Sequence, residues 1–211
     1  MSDPEALARA IAASGVRDPR LLDALRGMPR AGFVPPELAE RAYVDRPLPI
    51  PHGQVTTQPS LSAKMIEALG LMGPENVLEI GAGYAFQTAL LARLSRFVWS
   101  VERFPDFVAT ARENLARHRV ENVEVVSGDG TRGLAEHAPY DATLVSAAFP
   151  SVPPPLAEQL EVGGRLVQPI GSGGAEEVAL FEKGPKGLER RRTVTRAHFV
   201  RLFGAYGAHT F

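Results

Sequence analysis

From residue 60 onward, helical segments alternate with short apolar strands, and this alternation limits the chain to very few folds. We predict helices at about 60–69, 84–94, 105–118 and 154–160, and strands at about 76–80, 97–102, 122–126, 140–146 and 164–170. Runs such as 97–101 and 142–145 are almost wholly apolar, which is typical of strands covered by helices on both faces. Strands that alternate with helices form parallel sheets. The pattern therefore predicts an α/β fold with a Rossmann-like, doubly wound, mostly parallel sheet.

The segments on either side of this core have other patterns. Asp3-Pro4 and Asp18-Pro19 each place a capping residue before a proline, which predicts two N-terminal helices. After Gly171, apolar runs flank the turn residues 184–187, which predicts antiparallel C-terminal strands. A length of 211 residues with 45% hydrophobic content fits one compact domain. We expect a single domain over 1–211, divided into 1–59, a core at 60–171 and a β extension at 172–211.

Residues 29–59 contain seven prolines, so they form neither a long helix nor a central strand. Ordered loops of this length are uncommon in compact domains unless they form binding surfaces or lids. We interpret the segment as a substrate loop. The alternative is a structural wrap across the core.

Composition excludes several classes of function. The chain has no cysteine and a net charge of −1, and its densest basic run, Arg190-Arg191-Arg192, is expected on a solvated hairpin. We therefore expect no nucleic-acid partner. The histidines lack metal-ligand spacing, so no metal site is predicted. No apolar run reaches the roughly 18 residues that span a bilayer, and no leader-like segment is visible. We expect a cytoplasmic protein without membrane contact, either a monomer or a weak dimer.

The strand Val77–Ile80 runs into a glycine turn, at the point where ligands bind in doubly wound sheets. Gly81 and Gly83 allow the backbone to approach a ligand closely. The dinucleotide fingerprint needs a third glycine at position 86, where this chain has Phe86. The Glu79 carboxylate suits a ligand with a cationic amino group and no pyrophosphate. Beside a dinucleotide, the same carboxylate would repel the phosphates. The turn thus favours S-adenosylmethionine as cofactor.

Two further features follow the next two strands. Glu102 ends the strand after the glycine turn, 21 residues beyond Gly81, where an acid can accept hydrogen bonds from ribose hydroxyls. Gly128-Asp129-Gly130 follows the third strand, so Asp129 can accept from the adenine amino group. Their order on successive strand ends predicts a class I S-adenosylmethionine-dependent methyltransferase rather than structural glycines and acids. The predicted cofactor-binding residues are Glu79, Gly81, Gly83, Glu102, Gly128 and Asp129.

A longer set of motifs resembles the protein-L-isoaspartate O-methyltransferase family. These motifs are Met28-Pro29-Arg30, Phe33-Val34-Pro35, Ala42-Tyr43-x-Asp45-x-Pro47-Leu48-Pro49-Ile50, Gly53-Gln54-Val55-Thr56-Thr57-Gln58-Pro59, Leu78-Glu79-Ile80-Gly81-x-Gly83, Gly128-Asp129-Gly130, Ala138-Pro139-Tyr140-Asp141-Ala142, Gln159-Leu160 and Gly163-Gly164-Arg165-Leu166-Val167. They cover most of the chain in order. The proline-rich loop is specific to the family, whereas many methyltransferases share the sheet motifs.

The resemblance implies methylation of the free α-carboxylate of L-isoaspartyl residues in damaged proteins and peptides, followed by repair through a succinimide. It assigns the catalytic hydroxyl to Thr57 and implies that Asp45, Gln54 and Thr56 bind substrate or shape its loop. An alternative role for Thr57, compatible with catalysis, is to cap the helix that starts near Pro59.

Three departures from the family pattern bear on which methyl acceptor the chain uses. Val55 replaces a threonine, Tyr84-Ala85-Phe86 replaces Ser-Gly-Tyr, and Arg201 replaces a proline. Arg201 would either hold a carboxylate or face solvent, and we expect solvent. Two alternative functions follow: a methyltransferase of this lineage acting on another carboxylate, in a modified peptide or a small molecule, and a non-catalytic cofactor-binding module.

Overall fold

The computed structural model describes residues 3–209 and is built around a seven-stranded sheet. A separate two-stranded sheet is formed by β1 (Leu48–Ile50) and β2 (Gln54–Thr56). The strands of the seven-stranded sheet are β3 (Asn76–Ile80), β4 (Phe97–Glu102), β5 (Val123–Ser127), β6 (Tyr140–Val145), β7 (Leu160–Ile170), β8 (Glu176–Gly184) and β9 (Gly187–Ala197). Their order across the sheet is β5-β4-β3-β6-β7-β8-β9. The helices are α1 (Pro4–Ala13), α2 (Pro19–Gly27), α3 (Pro59–Leu69), α4 (Phe86–Leu94), α5 (Pro105–Arg117) and α6 (Pro154–Glu158).

The sheet is parallel from β5 to β7, and β8 and β9 add to it in antiparallel fashion. Both parts of the fold prediction are therefore confirmed. The strand β3 lies at the centre, with β4 and β5 on one side and β6 and β7 on the other. After β5 the chain crosses to the other side of β3 and forms β6 there. The point in the sheet where the winding direction reverses therefore lies between β3 and β6. In such sheets a crevice opens beyond the carboxyl ends of the strands at the reversal point.

The two N-terminal helices form where they were predicted. Asp3 Oδ1 accepts a hydrogen bond of 2.7 Å from the Ala6 backbone N–H, and Asp18 Oδ1 accepts one of 2.9 Å from Arg20. Each cap satisfies a donor that would otherwise be free at a helix start. The apolar sides of α1 and α2 are buried in the main core, and this core also contains residues of α3 and α4.

The proline-rich segment is ordered but mostly irregular. It contains two 3₁₀ helices, Arg30–Phe33 and Pro36–Arg41, and then the β1–β2 hairpin. Its final residues lead into α3, which begins at Pro59. The expectation of neither a long helix nor a central strand is confirmed.

The C-terminal part of the chain returns to the crevice. After the β8–β9 hairpin, the Ala148 N–H donates to the Val200 carbonyl and the Leu202 N–H donates to the Ala148 carbonyl, both at 2.8 Å. These bonds hold residues 200–202 against the loop that follows β6. On β9, Arg190 and Arg191 are exposed and pair with glutamates, as a solvated hairpin face requires.

Candidate active site

A deep cleft lies beyond the carboxyl ends of β3, β4 and β6, at the predicted position. It encloses about 980 Å³ of space, part of which is open to solvent. Pockets of up to roughly 1,000 Å³ hold drug-sized ligands, so the cleft has room for a nucleoside-type cofactor. Its walls come from the glycine turn, the end of β4, the β1–β2 hairpin and residues 200–203.

The glycine turn forms the floor of the cleft with backbone conformations that favour glycine. Gly81 has a φ of +95° and Gly83 a φ of +53°, and both line the cleft. Ala85 stands at the N-cap of α4 with a φ of +70°, so this departure from the family pattern keeps a left-handed backbone at a non-glycine residue. The next residue, Phe86, begins α4 and also lines the cleft.

Glu102 presents a carboxylate at the end of β4, as predicted. Its side chain is buried, its Oε2 accepts from the Gly83 N–H and its Oε1 accepts from the Phe104 N–H, both at 3.0 Å. A carboxylate has about four acceptor positions, so two remain for a ligand. Glu102 lines the cleft and can accept hydrogen bonds from a ribose. Fixed glycine backbone beside such an acid fits the nucleoside part of S-adenosylmethionine.

Glu79 does not face the cleft, contrary to the prediction of direct cofactor contact. The side chain is fully buried, and its carboxylate accepts from Gln87 Nε2 (3.0 Å), Thr88 Oγ1 (2.5 Å) and Ser100 Oγ (2.7 Å). Burial raises the pKa of this carboxyl, and the three hydrogen bonds oppose that rise. Gln87 also donates to Ser146 Oγ at 2.7 Å, and both of these residues line the cleft. Glu79 therefore contributes to the cleft indirectly, because its hydrogen bond holds the side chain of Gln87 in place.

Asp129 also differs from its prediction as an adenine acceptor. Its carboxylate accepts from the Thr131 N–H (2.9 Å), the Thr131 hydroxyl (2.6 Å) and the Ala205 N–H (2.8 Å). It ties the C-terminal turn to the end of β5 and is not among the cleft-lining residues, and neither is Gly128. Gly130 lines the cleft instead, and a side chain there would collide with Ile80.

The hairpin side of the cleft carries residues that were predicted to bind the methyl acceptor. Gln54, Thr56 and Thr57 line the cleft, and Gln54 Nε2 donates to the His52 carbonyl at 3.1 Å. Within the described chain, the Thr57 hydroxyl has no hydrogen bond. Thr57 does not cap α3, because the N-cap position is Gln58.

Asp45 fills the capping role instead, which corrects its assignment as a substrate ligand. Its carboxylate accepts from the Ser60 N–H (2.8 Å) and from Gln58 Nε2 (3.1 Å). It does not line the cleft. Asp45 thereby joins the middle of the loop to the start of α3 and fixes the path of the residues between them.

Several cleft residues had no sequence prediction, namely Arg30, Gln87, Arg103, Phe107 and Ser146. The Arg103 guanidinium lies over the rings of Phe104 (4.8 Å) and Phe203 (5.0 Å). Arg201 is exposed at the mouth, as expected, and donates to the Ser172 carbonyl at 3.3 Å. Arg30 belongs to a family-like motif, but its complete burial has no signal in the sequence.

His52 joins the tip of the hairpin to the start of α5. Its Nε2 lies 2.8 Å from Asp106 Oδ2, and its ring stacks on Phe104 with a centroid distance of 4.3 Å. His118 is half-buried and stacks on Phe33. Across residues 3–209, no group of three His, Cys, Asp or Glu side chains is placed to hold a metal ion, and no helix is long and apolar enough to cross a bilayer.

The doubly wound sheet, the glycine turn and the acid at the end of β4 define a class I S-adenosylmethionine-dependent methyltransferase. A sequence model of the family described as protein-L-isoaspartate(D-aspartate) O-methyltransferase matches residues 2–206. The chain belongs to this family.

Curated relatives named protein-L-isoaspartate O-methyltransferase align with most of the chain. The protein-L-isoaspartate O-methyltransferase of Anaeromyxobacter dehalogenans (strain 2CP-C) is 50% identical over 190 residues, which are 89% of this chain and 91% of that protein. That of Methanoculleus marisnigri is 47% identical over 197 residues, covering 93% of this chain and 89% of its own.

Solved structures agree with this relationship. A structure named protein-L-isoaspartate O-methyltransferase superposes with a TM-score of 0.83 at 29% identity, covering 97% of this chain and 67% of the other. A putative protein-L-isoaspartate O-methyltransferase from Plasmodium falciparum, in complex with S-adenosyl-L-homocysteine, superposes with a TM-score of 0.82 at 20% identity over 96% and 99% of the two chains. At that identity, the second comparison supports the fold alone.

Proposed function

We propose that this chain transfers a methyl group from S-adenosylmethionine to the free α-carboxylate of L-isoaspartyl residues in damaged proteins. The resulting ester then closes to a succinimide, which allows repair. The main supporting observation is that one cleft contains both the glycine turn with Glu102 and the hydroxyl-bearing segment 54–57. A cofactor held by the first and an acceptor held by the second would meet inside the cleft.

In this proposal the cofactor is held by backbone and one acid. Gly81 and Gly83 let the main chain lie close to the cofactor, and the Glu102 carboxylate accepts hydrogen bonds from its ribose. Gln87 and Ser146, which border the same cleft, are polar neighbours for its amino-acid part. When bound, S-adenosylmethionine supplies an electrophilic methyl group on a sulfonium that is already a good leaving group.

The acceptor needs alignment more than activation. An ionised carboxylate is already nucleophilic, so no general base is required. Thr57 is assigned to hold this carboxylate, since the residue lines the cleft and its hydroxyl is not engaged elsewhere in the described chain. Apolar side chains such as Ile80, Phe107 and Leu202 keep water away from the meeting point. Positioning two reactants in this way contributes on the order of 7 to 11 kcal/mol to lowering the barrier.

The proposal also covers partners and location. We assign proteins and peptides as the acceptors, without nucleic-acid or membrane partners, and a cytoplasmic monomer or weak dimer of one domain. A net charge of −1 and the absence of cysteine agree with this assignment. The main core draws residues from α1 through β8, as a single domain over 1–211 would require.

The test is methyl transfer to matched peptides. The enzyme is incubated with methyl-labelled S-adenosylmethionine and an isoaspartyl peptide, or with the aspartyl peptide of the same sequence. Label is expected on the isoaspartyl peptide alone. Label on the aspartyl peptide alone would reject the repair function. Label on neither peptide, with S-adenosylhomocysteine binding intact by calorimetry, would indicate a non-catalytic module or a different methyl acceptor.

A further inference from the structure

Arg30 is one of the largest fully buried side chains in residues 3–209, and it borders the cleft. Its Nη1 donates to the carbonyls of Ala42 (2.7 Å) and Val44 (3.1 Å). Its Nη2 donates to the Arg46 carbonyl (3.1 Å) and to Thr56 Oγ1 (3.0 Å). All four terminal N–H groups of the guanidinium are therefore used to hold the loop and the hairpin together.

This buried cation has no ion pair with a carboxylate within residues 3–209. Burial lowers the pKa of Arg30 to about 10, against a smaller opposing influence from Asp45, so the group stays charged at neutral pH. A buried charge without a paired opposite charge is costly. An anion entering the cleft would offset part of that cost.

Thr56 is oriented by the same arginine. Its Oγ1 accepts from Arg30 Nη2 at 3.0 Å and from the Leu48 N–H at 3.2 Å. A hydroxyl has two acceptor lone pairs and one hydrogen to donate. Both lone pairs are used, and the described chain offers the hydrogen no acceptor. Thr56 lines the cleft and is thus restricted to acting as a donor there.

We infer that Thr56 donates a hydrogen bond to the substrate carboxylate, and that Arg30 is the positioning residue that makes Thr56 a donor and the cleft selective for an anion. Polarisation by the adjacent guanidinium strengthens the Thr56 donor. The inference rests on the proposed function and adds to it the origin of the preference for a charged acceptor. Thr57 then has a neighbour whose orientation is fixed, whereas its own hydroxyl is free to turn.

A purely structural role for Arg30 makes a different prediction. Loosening the hairpin would weaken every peptide ligand equally. Loss of the proposed interaction would weaken only ligands with a carboxylate. The distinguishing quantity is the affinity for an isoaspartyl peptide divided by the affinity for the same peptide with an α-carboxamide, which is neutral and of nearly the same shape.

The experiment compares Thr56→Val and Thr56→Ser, with Thr193→Val on the exposed hairpin as matched control. Both peptides are measured as ligands in the presence of S-adenosylhomocysteine, and the isoaspartyl peptide is measured as substrate. Thr56→Val is expected to lower the carboxylate-to-carboxamide affinity ratio and kcat/KM roughly 10- to 100-fold, as expected for a hydrogen bond to a charged group. Thr56→Ser keeps the hydroxyl and should recover most of the affinity ratio lost in Thr56→Val. Thr193→Val should stay close to wild type, with cofactor affinity unchanged throughout.

Arg30→Lys and Arg30→Met test the charge. The lysine variant should retain part of the affinity ratio, and the methionine variant should lose it. If Arg30→Met fails to fold, the Thr56 pair still decides the question. An unchanged affinity ratio in Thr56→Val, with wild-type enzyme methylating the isoaspartyl peptide, overturns the inference alone. Failure of the wild-type enzyme to methylate that peptide overturns the proposed function instead.

Discussion

The two sides of the cleft are held in place by different means. On the cofactor side, Gly81, Gly83 and Glu102 lie at the ends of adjacent parallel strands, and their positions follow from the sheet itself. On the acceptor side, residues 54–57 depend on side chains that reach across an irregular loop, above all Arg30 and Asp45. The difference teaches that the proposed cofactor site is fixed by the geometry of the sheet, whereas the proposed methyl-acceptor site is set by a few long-range side-chain bonds.

Removing the acid on the cofactor side should have the largest effect. Glu102→Ala takes away the proposed ribose acceptor and leaves the Gly83 and Phe104 N–H groups without their partner. We expect cofactor affinity to fall at least roughly 100-fold, measured by calorimetry with S-adenosylhomocysteine. Glu124→Ala, at an exposed position on β5, is the control and should bind normally. Near-normal affinity in Glu102→Ala would mean that the sheet ends do not hold the cofactor.

A smaller and more selective effect is expected on the acceptor side. Thr57→Val keeps the side-chain shape and removes the hydroxyl, so turnover of an isoaspartyl peptide should fall roughly 10- to 100-fold. Cofactor affinity should stay within about twofold, since the change leaves the backbone N–H groups intact. The measurements are steady-state methyl transfer and calorimetry. If Thr57→Val instead loses its cofactor, the separation between the two sides is wrong.

The smallest effect is expected at Asp129, whose carboxylate connects the end of β5 to the C-terminal turn. Burial opposes ionisation of Asp129, but hydrogen bonds from Ala205 and Thr131 outweigh it and lower the pKa. Its stabilising contribution is therefore fully present above roughly pH 4, the pKa of an unfolded aspartate, and is lost as the pH falls through the lower folded value.

Asp129→Asn should reduce stability at neutral pH and flatten this acid dependence. Urea unfolding at pH 7 and at pH 3 measures both, and the difference between wild type and variant should be larger at pH 7. An equal difference at the two pH values would show that the Asp129 charge contributes nothing. Asp23→Asn, at an exposed residue of α2, provides the matched control.

The sequence allowed the sheet and the glycine turn to be predicted because both follow from local patterns. Apolar runs with helical segments between them define β3 to β7, and the order of Gly81 and Glu102 on successive strands places the cleft. The orientation of acids next to those strands was less predictable. Glu79 and Asp129 stand at the expected strand ends, yet nearby donors, which no spacing rule identifies, turn their carboxylates away from the cleft.

On the methyl-acceptor side, the sequence assigned residues to a family motif but did not reveal which side chains they contact. Asp45 and Thr56 were placed in the right loop, but the bonds that decide their roles span 15 and 26 positions of the chain. Arg30 reaches four acceptors spread from Ala42 to Thr56, and no periodicity reports such contacts. Irregular segments held by side chains need the three-dimensional structure before roles can be assigned.

The wall formed by residues 200–203 has a consequence for how the enzyme is made. All other cleft residues lie at or before position 147, so the ribosome produces them first. The floor of the cleft can therefore be complete in a nascent chain while its mouth is still open on one side. The Val200 and Leu202 backbone bonds to Ala148 close that side only when translation has passed them. A chain interrupted between these stages would have the glycine turn, Glu102 and the β1–β2 hairpin but would lack this wall of the cleft.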